Sequence, residues 1–332
     1  YGSSPEFSIA YPDNCVWFEE SPITGVNTGA EITVGQKDFK LHNKLLFNLL
    51  RIFKPWEDDL QSSTVIKVLA HTPELVAPYC AYIATLGAHD PKMTSYWFGM
   101  TLLLGRIIEL DIPEFITNIE TDSTPVTNLV LENIIPSSLT KLALTKALQH
   151  EKKIVQQLAC QLIVFVFQKL HKILKMYNQK GWSSQRAVIT TMVLKSIPDL
   201  QIFTSVLTQT YTNDKDNEIL PLTIATILGY YSNIFPNFFA ISLPSPNIFT
   251  DILEKESFTG MDVAILDQFL QFQKFNGTQM KWWNPTANQS SLFCSLLKLA
   301  SSKNTKNTVT LKITRLLIDL LHGTVILSLI HI

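Results

Sequence analysis

Lys169, Lys172, Lys175, Lys180 and Arg186 are the residues whose types and spacing point most directly to chemistry. They fall on the last turns of a long apolar helix and just beyond it, with His171 among them. Two accounts fit this pattern. Cations near a helix C-terminus complement the partial negative charge of the macrodipole. The same cations could form a basic rim that meets the phosphates of RNA. A second group, Lys298, Lys303, Lys306, Lys312 and Arg315, brackets the polar turn near Asn304 and reads in the first instance as a solvated helix end. Trp282 and Trp283, between Lys281 and Pro285, form a candidate partner-binding or base-stacking pair. Tryptophans in a connection also plug gaps between helix layers, so both readings stand.

Catalytic patterns are not found. The twelve glycines form no phosphate-cradling loop, the seven histidines no H-E-x-x-H pair, and no serine sits in a G-x-S-x-G elbow. His89–Asp90 has the form of a base and its orienter, but Asp90 precedes Pro91 where a helix should start, and N-capping accounts for it. Cys160 lies inside the apolar helix and reads as a core thiol. Cys15, Cys80, Cys160 and Cys294 are widely separated, which argues against a zinc site or a disulfide framework and for reduced thiols. The sequence therefore predicts no enzyme, no cofactor and no metal.

The elements that must position the cations are helices. Of 332 residues, 46% are hydrophobic and only 17% charged, ample material for a core. Twenty-seven basic side chains against 28 acidic ones give a net charge of −1, which disfavours a surface that binds polyanions all over. The opening seven residues, Tyr1 to Phe7, read as a vector remnant, and residues 1–36 as a whole as an extended arm with Trp17 and Phe18 as anchors.

Helical periodicity starts near Asp38, with Leu41, Leu45, Leu46, Leu49, Ile52 and Phe53 on one stripe ended by Pro55. Glu57-Asp58-Asp59 opens the next helix. Thr72-Pro73-Glu74 opens another, which stops before Gly87. Asp90-Pro91 is expected to start a helix that buries Trp97, Met100, Leu103, Leu104, Ile107 and Ile108. Residues 109–122 read as an acidic connection, followed by a short helix over 126–132. Ser137 or Ser138 should cap Leu139–Leu148.

The long helix then runs to Tyr177, with Ile154, Leu158, Leu162, Phe165, Leu170, Ile173, Leu174 and Tyr177 facing inward. Its Leu162–Phe167 run has no polar face, so it must be covered on both sides. Further helices are expected to Lys195, from Pro198 to Tyr211, as an apolar pair over 220–239, and over 244–256, 261–275, 288–301 and 308–321.

The uncharged stretch Ile219–Thr250 is long enough to span a bilayer. Its four prolines and lack of a flanking basic cluster instead favour buried helices and no membrane contact. The fold class is thus all-α: an irregular α-solenoid of the HEAT or armadillo type over 37–332, with an extended N-terminal arm.

Two stretches carry a family resemblance. Thr72-Pro-Glu-Leu-Val-Ala-Pro-Tyr79, Asp90-Pro-Lys-Met-Thr-Ser-Tyr-Trp97 and the helix Leu102–Leu110 come first. Ile135-Pro-Ser-Ser-Leu139, Leu144-Thr-Lys-Ala-Leu-Gln-His150 and the helix through Gln161-Leu162 follow. In order and spacing they resemble the N-terminal domain of the nucleolar pre-ribosomal-associated protein 1 family, best over Asp38–Tyr177.

The resemblance implies a non-enzymatic nucleolar scaffold in early assembly of the large (60S) ribosomal subunit. Its implied partners are other large-subunit assembly factors, including a DEAD-box RNA helicase, together with pre-rRNA and snoRNA. It also implies a chain much longer than this one. The rival reading is a HEAT-like protein–protein adaptor in transport or vesicle traffic.

Overall fold

The computed structural model describes residues 30–35, 37–41, 43–87, 89–117, 127–213, 219–235, 260–273, 291–301 and 307–322. It divides into two compact units, Tyr1–Pro198 and Asp199–Ile332.

The first unit opens on an antiparallel hairpin, β1 (Ala30–Val34) and β2 (Lys37–Leu41), in the register Val34 to Lys37 and Ile32 to Phe39. Gly35, at φ +63°, provides the left-handed residue that a two-residue hairpin connection requires. This corrects two expectations: residues 30–36 are not wholly an arm, and residues 38–41 are strand. The physical reason is alternation. On β2 Phe39 and Leu41 are buried two residues apart with Asp38 exposed, and on β1 buried Val34 follows exposed Thr33, which is the alternation of a strand.

Helix α1 (Lys44–Leu50) buries Phe47 and Leu50. The expected stripe of Leu45, Leu49 and Ile52 is instead exposed, at 82, 47 and 74%. With Leu41 taken into the strand, the helix has a different phase.

Helix α2 (Asp59–His71) starts as expected, with the Asp58 carboxylate accepting from Leu60 N–H at 2.9 Å. A 3₁₀ turn (Pro73–Leu75) leads into α3 (Val76–Thr85). The turn's buried Glu74 carboxylate accepts from the Asn43 backbone N–H at 3.0 Å and side-chain amide at 2.6 Å, tying the entry of α1 to that of α3.

Helix α4 (Ser95–Glu109) buries all six predicted apolar positions. Its cap is Thr94, whose hydroxyl accepts from Trp97 N–H at 3.3 Å, so the capping role expected of Asp90 is corrected. Asp90 instead pairs with Lys146 at 2.8 Å, on α7 (Lys141–Leu148). Helix α7 is capped by Thr140 in place of Ser137 or Ser138, Ala143 N–H donating to its hydroxyl at 3.2 Å. Between α4 and α7 lie a four-residue helix, α5 (Glu114–Thr117), and α6 (Thr127–Ile134).

Helix α8 (Lys153–Lys180) is the centre of the unit. Helices α4, α6 and α7 pack on it, as does α9 (Ser183–Ser196). Leu162, Ile163, Val164, Val166 and Phe167 are all buried, as an all-round apolar run demands. Ile154, expected inward, is half exposed; Val155 takes the inward position. The helix ends at Gly181 (φ +74°), where Trp182 N–H donates to the Tyr177 carbonyl at 3.0 Å. Helix α8 is long and apolar enough to cross a membrane, and it is the buried core helix of this unit.

The second unit contains α10 (Leu200–Asn213), α11 (Ile219–Ile234), α12 (Gly260–Gln273), α13 (Leu292–Ser301) and α14 (Asn307–His322). Helix α11 packs on α10 and α12, and α14 on α12 and α13. Phe203 of α10 meets Tyr231 of α11 at 5.9 Å between ring centroids. The described part of the Ile219–Thr250 stretch is thus a 16-residue helix that buries Leu220, Ile224, Ile227, Leu228 and Tyr231. The second helix of the expected pair, and the one over 244–256, lie outside the described residues.

Candidate functional site

The five cations of the α8–α9 region have three different environments. Lys169 is turned into the protein. On a 3.6-residue helix it shares a face with Ile173 and Tyr177, both buried, and is itself only 4% exposed. Its Nζ has no hydrogen-bond partner among the described residues. Desolvation pulls the amine down from 10.5 to about 8; the nearby Cys80 and Asp111 oppose the shift, and Lys172 adds to it. The expectation that Lys169 stands on an exposed rim is corrected, because its helical phase is that of the core face.

Lys180 is half-buried and occupied. It donates to the Thr117 carbonyl at the end of α5, and its Nζ lies 5.0 Å from the centroid of the Trp182 ring. Trp182 is itself buried and meets Tyr177 edge-on at 5.4 Å. Lys180 and Trp182 therefore lock the α8–α9 corner, and the sequence reading had assigned Trp182 no part in it. The clue was its place directly after a glycine that ends a helix, where a chain turning back on itself needs an apolar contact.

Lys172, Lys175 and Arg186 remain in solvent. Lys172 and Lys175 are three residues apart, one above the other on the exposed face of α8. Arg186 lies in the first turns of α9, just past the corner. The candidate basic surface is therefore these three side chains, flanked by exposed His171 and Asn178.

Between α8 and the end of α4 lies a cavity of about 110 Å³. It is lined by Phe165, Gln168, Lys169 and Lys172 on one side and by residues 108–112 on the other. Of the second basic group, Lys312 forms an ion pair with Asp267 of α12, Lys298 and Arg315 are exposed, and Lys303 and Lys306 lie outside the described residues. Trp282 and Trp283 also lie outside them.

The His89–Asp90 pair is structural. His89 Nε2 lies 3.1 Å from the Thr101 hydroxyl and its ring stacks on Trp97 at 5.6 Å. Burial lowers its pKa to about 4, so the ring is neutral. Cys160 is fully buried, and desolvation raises its thiol far above the ordinary range. No group of three or more His, Cys, Asp or Glu that could hold a metal occurs among the described residues.

Comparison with known proteins fits this helical picture. Residues 1–100 match the family described as ribosome 60S biogenesis N-terminal, beginning inside the stretch read as a vector remnant. Residues 277–330 match URB1, central HEAT repeat domain, which puts the helical array in the α-solenoid class. Over 328 residues, 99% of this chain, the sequence is 53% identical to nucleolar pre-ribosomal-associated protein 1 of Saccharomyces cerevisiae (strain ATCC 204508 / S288c). The chain belongs to the nucleolar pre-ribosomal-associated protein 1 family. It spans 19% of the length of that yeast relative. No solved structure matches it.

Proposed function

We propose that this chain is a segment of a non-enzymatic scaffold that works in the nucleolus during early assembly of the 60S ribosomal subunit. The observation that carries the reading is the 53% identity to the yeast pre-ribosomal protein over nearly the whole chain. Packed helices with an apolar core suit a scaffold, since each layer offers a surface without needing a reaction centre. Its partners on this reading are other large-subunit assembly factors, including a DEAD-box RNA helicase, together with pre-rRNA or snoRNA. Direct RNA contact is assigned to Lys172, Lys175 and Arg186, because these cations are exposed on α8 and the first turn of α9.

Crosslinking in cells tests the family-level reading: pre-rRNA or snoRNA should be recovered with the intact protein, and its absence would count against the assignment. The local reading has its own test. Lys172→Glu, Lys175→Glu and Arg186→Glu together should weaken single-stranded RNA binding at low salt. They should also flatten the log–log salt dependence by about two, from three phosphate contacts at about 0.7 each. Unchanged RNA retention would remove the corner as an RNA contact and leave protein docking as its use.

A further inference from the structure

The outer edge of β2 is open. In a two-residue hairpin the closing pair, Val34 and Lys37, exchanges both of its backbone hydrogen bonds. Alternation then turns the N–H and C=O groups of Phe39 and Leu41 toward β1 as well, and those of Asp38 and Lys40 away from it. Among the described residues the sheet has two strands, and no backbone bond meets that outer row. An uncovered row of this kind pairs readily with another extended chain.

Beside the edge lies a groove of about 520 Å³. Among the described residues, β2 lines it through residues 37–39 and β1 not at all, so it lies on the open side of the hairpin. Phe39 and Ala77 of α3, both buried, line it together with half-buried Leu129 and Leu131 of α6. An ion pair between Lys37 and Glu132 ties the strand to α6.

We propose that β2 and α6 form a docking groove for an extended segment of a partner protein, which adds to the hairpin as a third strand beside β2 and carries a lysine or arginine opposite Asp38 with an apolar residue on each side of it. The backbone selects the conformation. Outward groups recur at every second residue of β2, a spacing that another strand matches. The five residues of β2 span about 17 Å, so the paired stretch is short. Alternation selects the side chains: a residue paired with Asp38 shares its solvent face, and the two neighbours of that residue share the face of Phe39, toward the groove.

Charge selects the central residue. The exposed Asp38 carboxylate accepts from the Thr33 hydroxyl at 2.7 Å and has no cation among the described residues, whereas Lys37 and Glu132 neutralise each other. One negative charge is left at the groove, which favours a cation and disfavours RNA. A second copy of this chain does not fit, because Phe39 and Leu41, the side chains its own β2 would offer, are already buried within it. The groove shares no residue with Lys172, Lys175 and Arg186, and it stands or falls apart from the RNA assignment.

The test adds short peptides to the 332-residue chain and follows amide hydrogen exchange resolved by residue. The probe is a blocked Thr-Val-Lys-Val-Thr peptide. Its controls are the same peptide with glutamate for lysine, the same peptide N-methylated at the lysine, and a single-stranded RNA oligonucleotide. At about ten times its Kd, the probe should slow exchange at Asp38 and Lys40 about tenfold, the ratio set by the uncovered fraction. The N-methylated peptide lacks the donor for the Asp38 carbonyl and should not bind. The glutamate peptide should bind about fivefold more weakly.

Asp38→Pro removes one outward donor and no bond to β1, which edge strands tolerate, and should weaken binding of the probe about tenfold. Asp38→Lys should reverse the preference in favour of the glutamate peptide. Protection of the Val34 and Phe39 amides reports an intact hairpin in each variant. No slowing by the probe would overturn the proposal, as would equal binding of the N-methylated peptide or slowing by RNA. So would an unreversed preference in a folded Asp38→Lys chain. A wild-type dimer that Asp38→Pro dissolves would give the edge to a second copy and overturn it as well.

Discussion

Replacing Lys169 by methionine should stabilise the first unit. The wild-type amine is buried without a hydrogen-bond partner among the described residues, and burial lowers its proton affinity from 10.5 to about 8. A displacement of that size, at about 1.4 kcal/mol per pH unit, corresponds to about 3 kcal/mol of native-state penalty on the charged form. Methionine fills nearly the same volume with no charge to desolvate, so most of that penalty should be recovered at neutral pH.

The sign with pH is fixed by linkage. Between about 8 and 10.5 the unfolded chain holds a proton that the folded chain has released, so wild-type stability rises with pH across that window. Below it, both states carry the proton and the penalty is fully present. Urea unfolding of both chains between pH 7 and 10.5 gives the check. The advantage of Lys169→Met should be largest near pH 7 and shrink toward zero at the top of the range. Comparing the two chains at each pH cancels the opposite trend from buried Cys160, whose raised pKa makes the folded state less stable as pH climbs. A Lys169→Met chain less stable than wild type at pH 7, or an advantage that does not change with pH, would refute the reasoning.

Three further outcomes follow from contacts in both units. Gly99→Ala would place a Cβ 2.0 Å from the Trp56 carbonyl oxygen, which is backbone and cannot rotate away, so α4 must shift. A loss of about 3 kcal/mol or more in urea unfolding is expected, and a near-neutral effect would show that the Trp56 turn yields easily. Glu74→Ala removes the acceptor for both Asn43 donors and should cost about 2–3 kcal/mol, measured the same way. Among the described cysteines, a thiol reagent should modify exposed Cys294 in the native chain, whereas Cys80 and Cys160 should react only in denaturant.

How much of this was legible in the sequence depended on how strongly each segment was constrained. The inward face of helix α4 was read correctly at all six predicted apolar positions because a 15-residue amphipathic pattern allows one phase only. The Leu162–Phe167 run required cover on every side; all of it but Phe165 is buried, with four helices packed on α8. Capping was less legible: Asp90 followed by Pro91 satisfies the usual rule, yet Thr94 four residues on satisfies it as well, and only the tertiary pairing of Asp90 with Lys146 decides between them. The hairpin was missed because Leu41 fits both a helical spacing with Leu45 and a strand alternation with Phe39. Gly35-Gln36, midway between two alternating stretches, was the signal that could have decided it.

The cations show the same limit at the functional level. Helix-end lysines spaced by three and by five look alike in a list, but three residues back from Lys172 the helix turns by about 60°, enough to move Lys169 from the solvent edge to the face of Ile173 and Tyr177. The row therefore separates into three uses: a corner brace at Lys180, an open surface at Lys172, Lys175 and Arg186, and a buried unpaired charge at Lys169. The third is the informative one. A core position that methionine would fill at a gain of about 3 kcal/mol, from the proton-affinity displacement above, carries a stability cost that no hydrogen bond among the described residues offsets. If the gain from Lys169→Met is present at pH 7 and gone by pH 10.5, that cost will have been measured at a single atom.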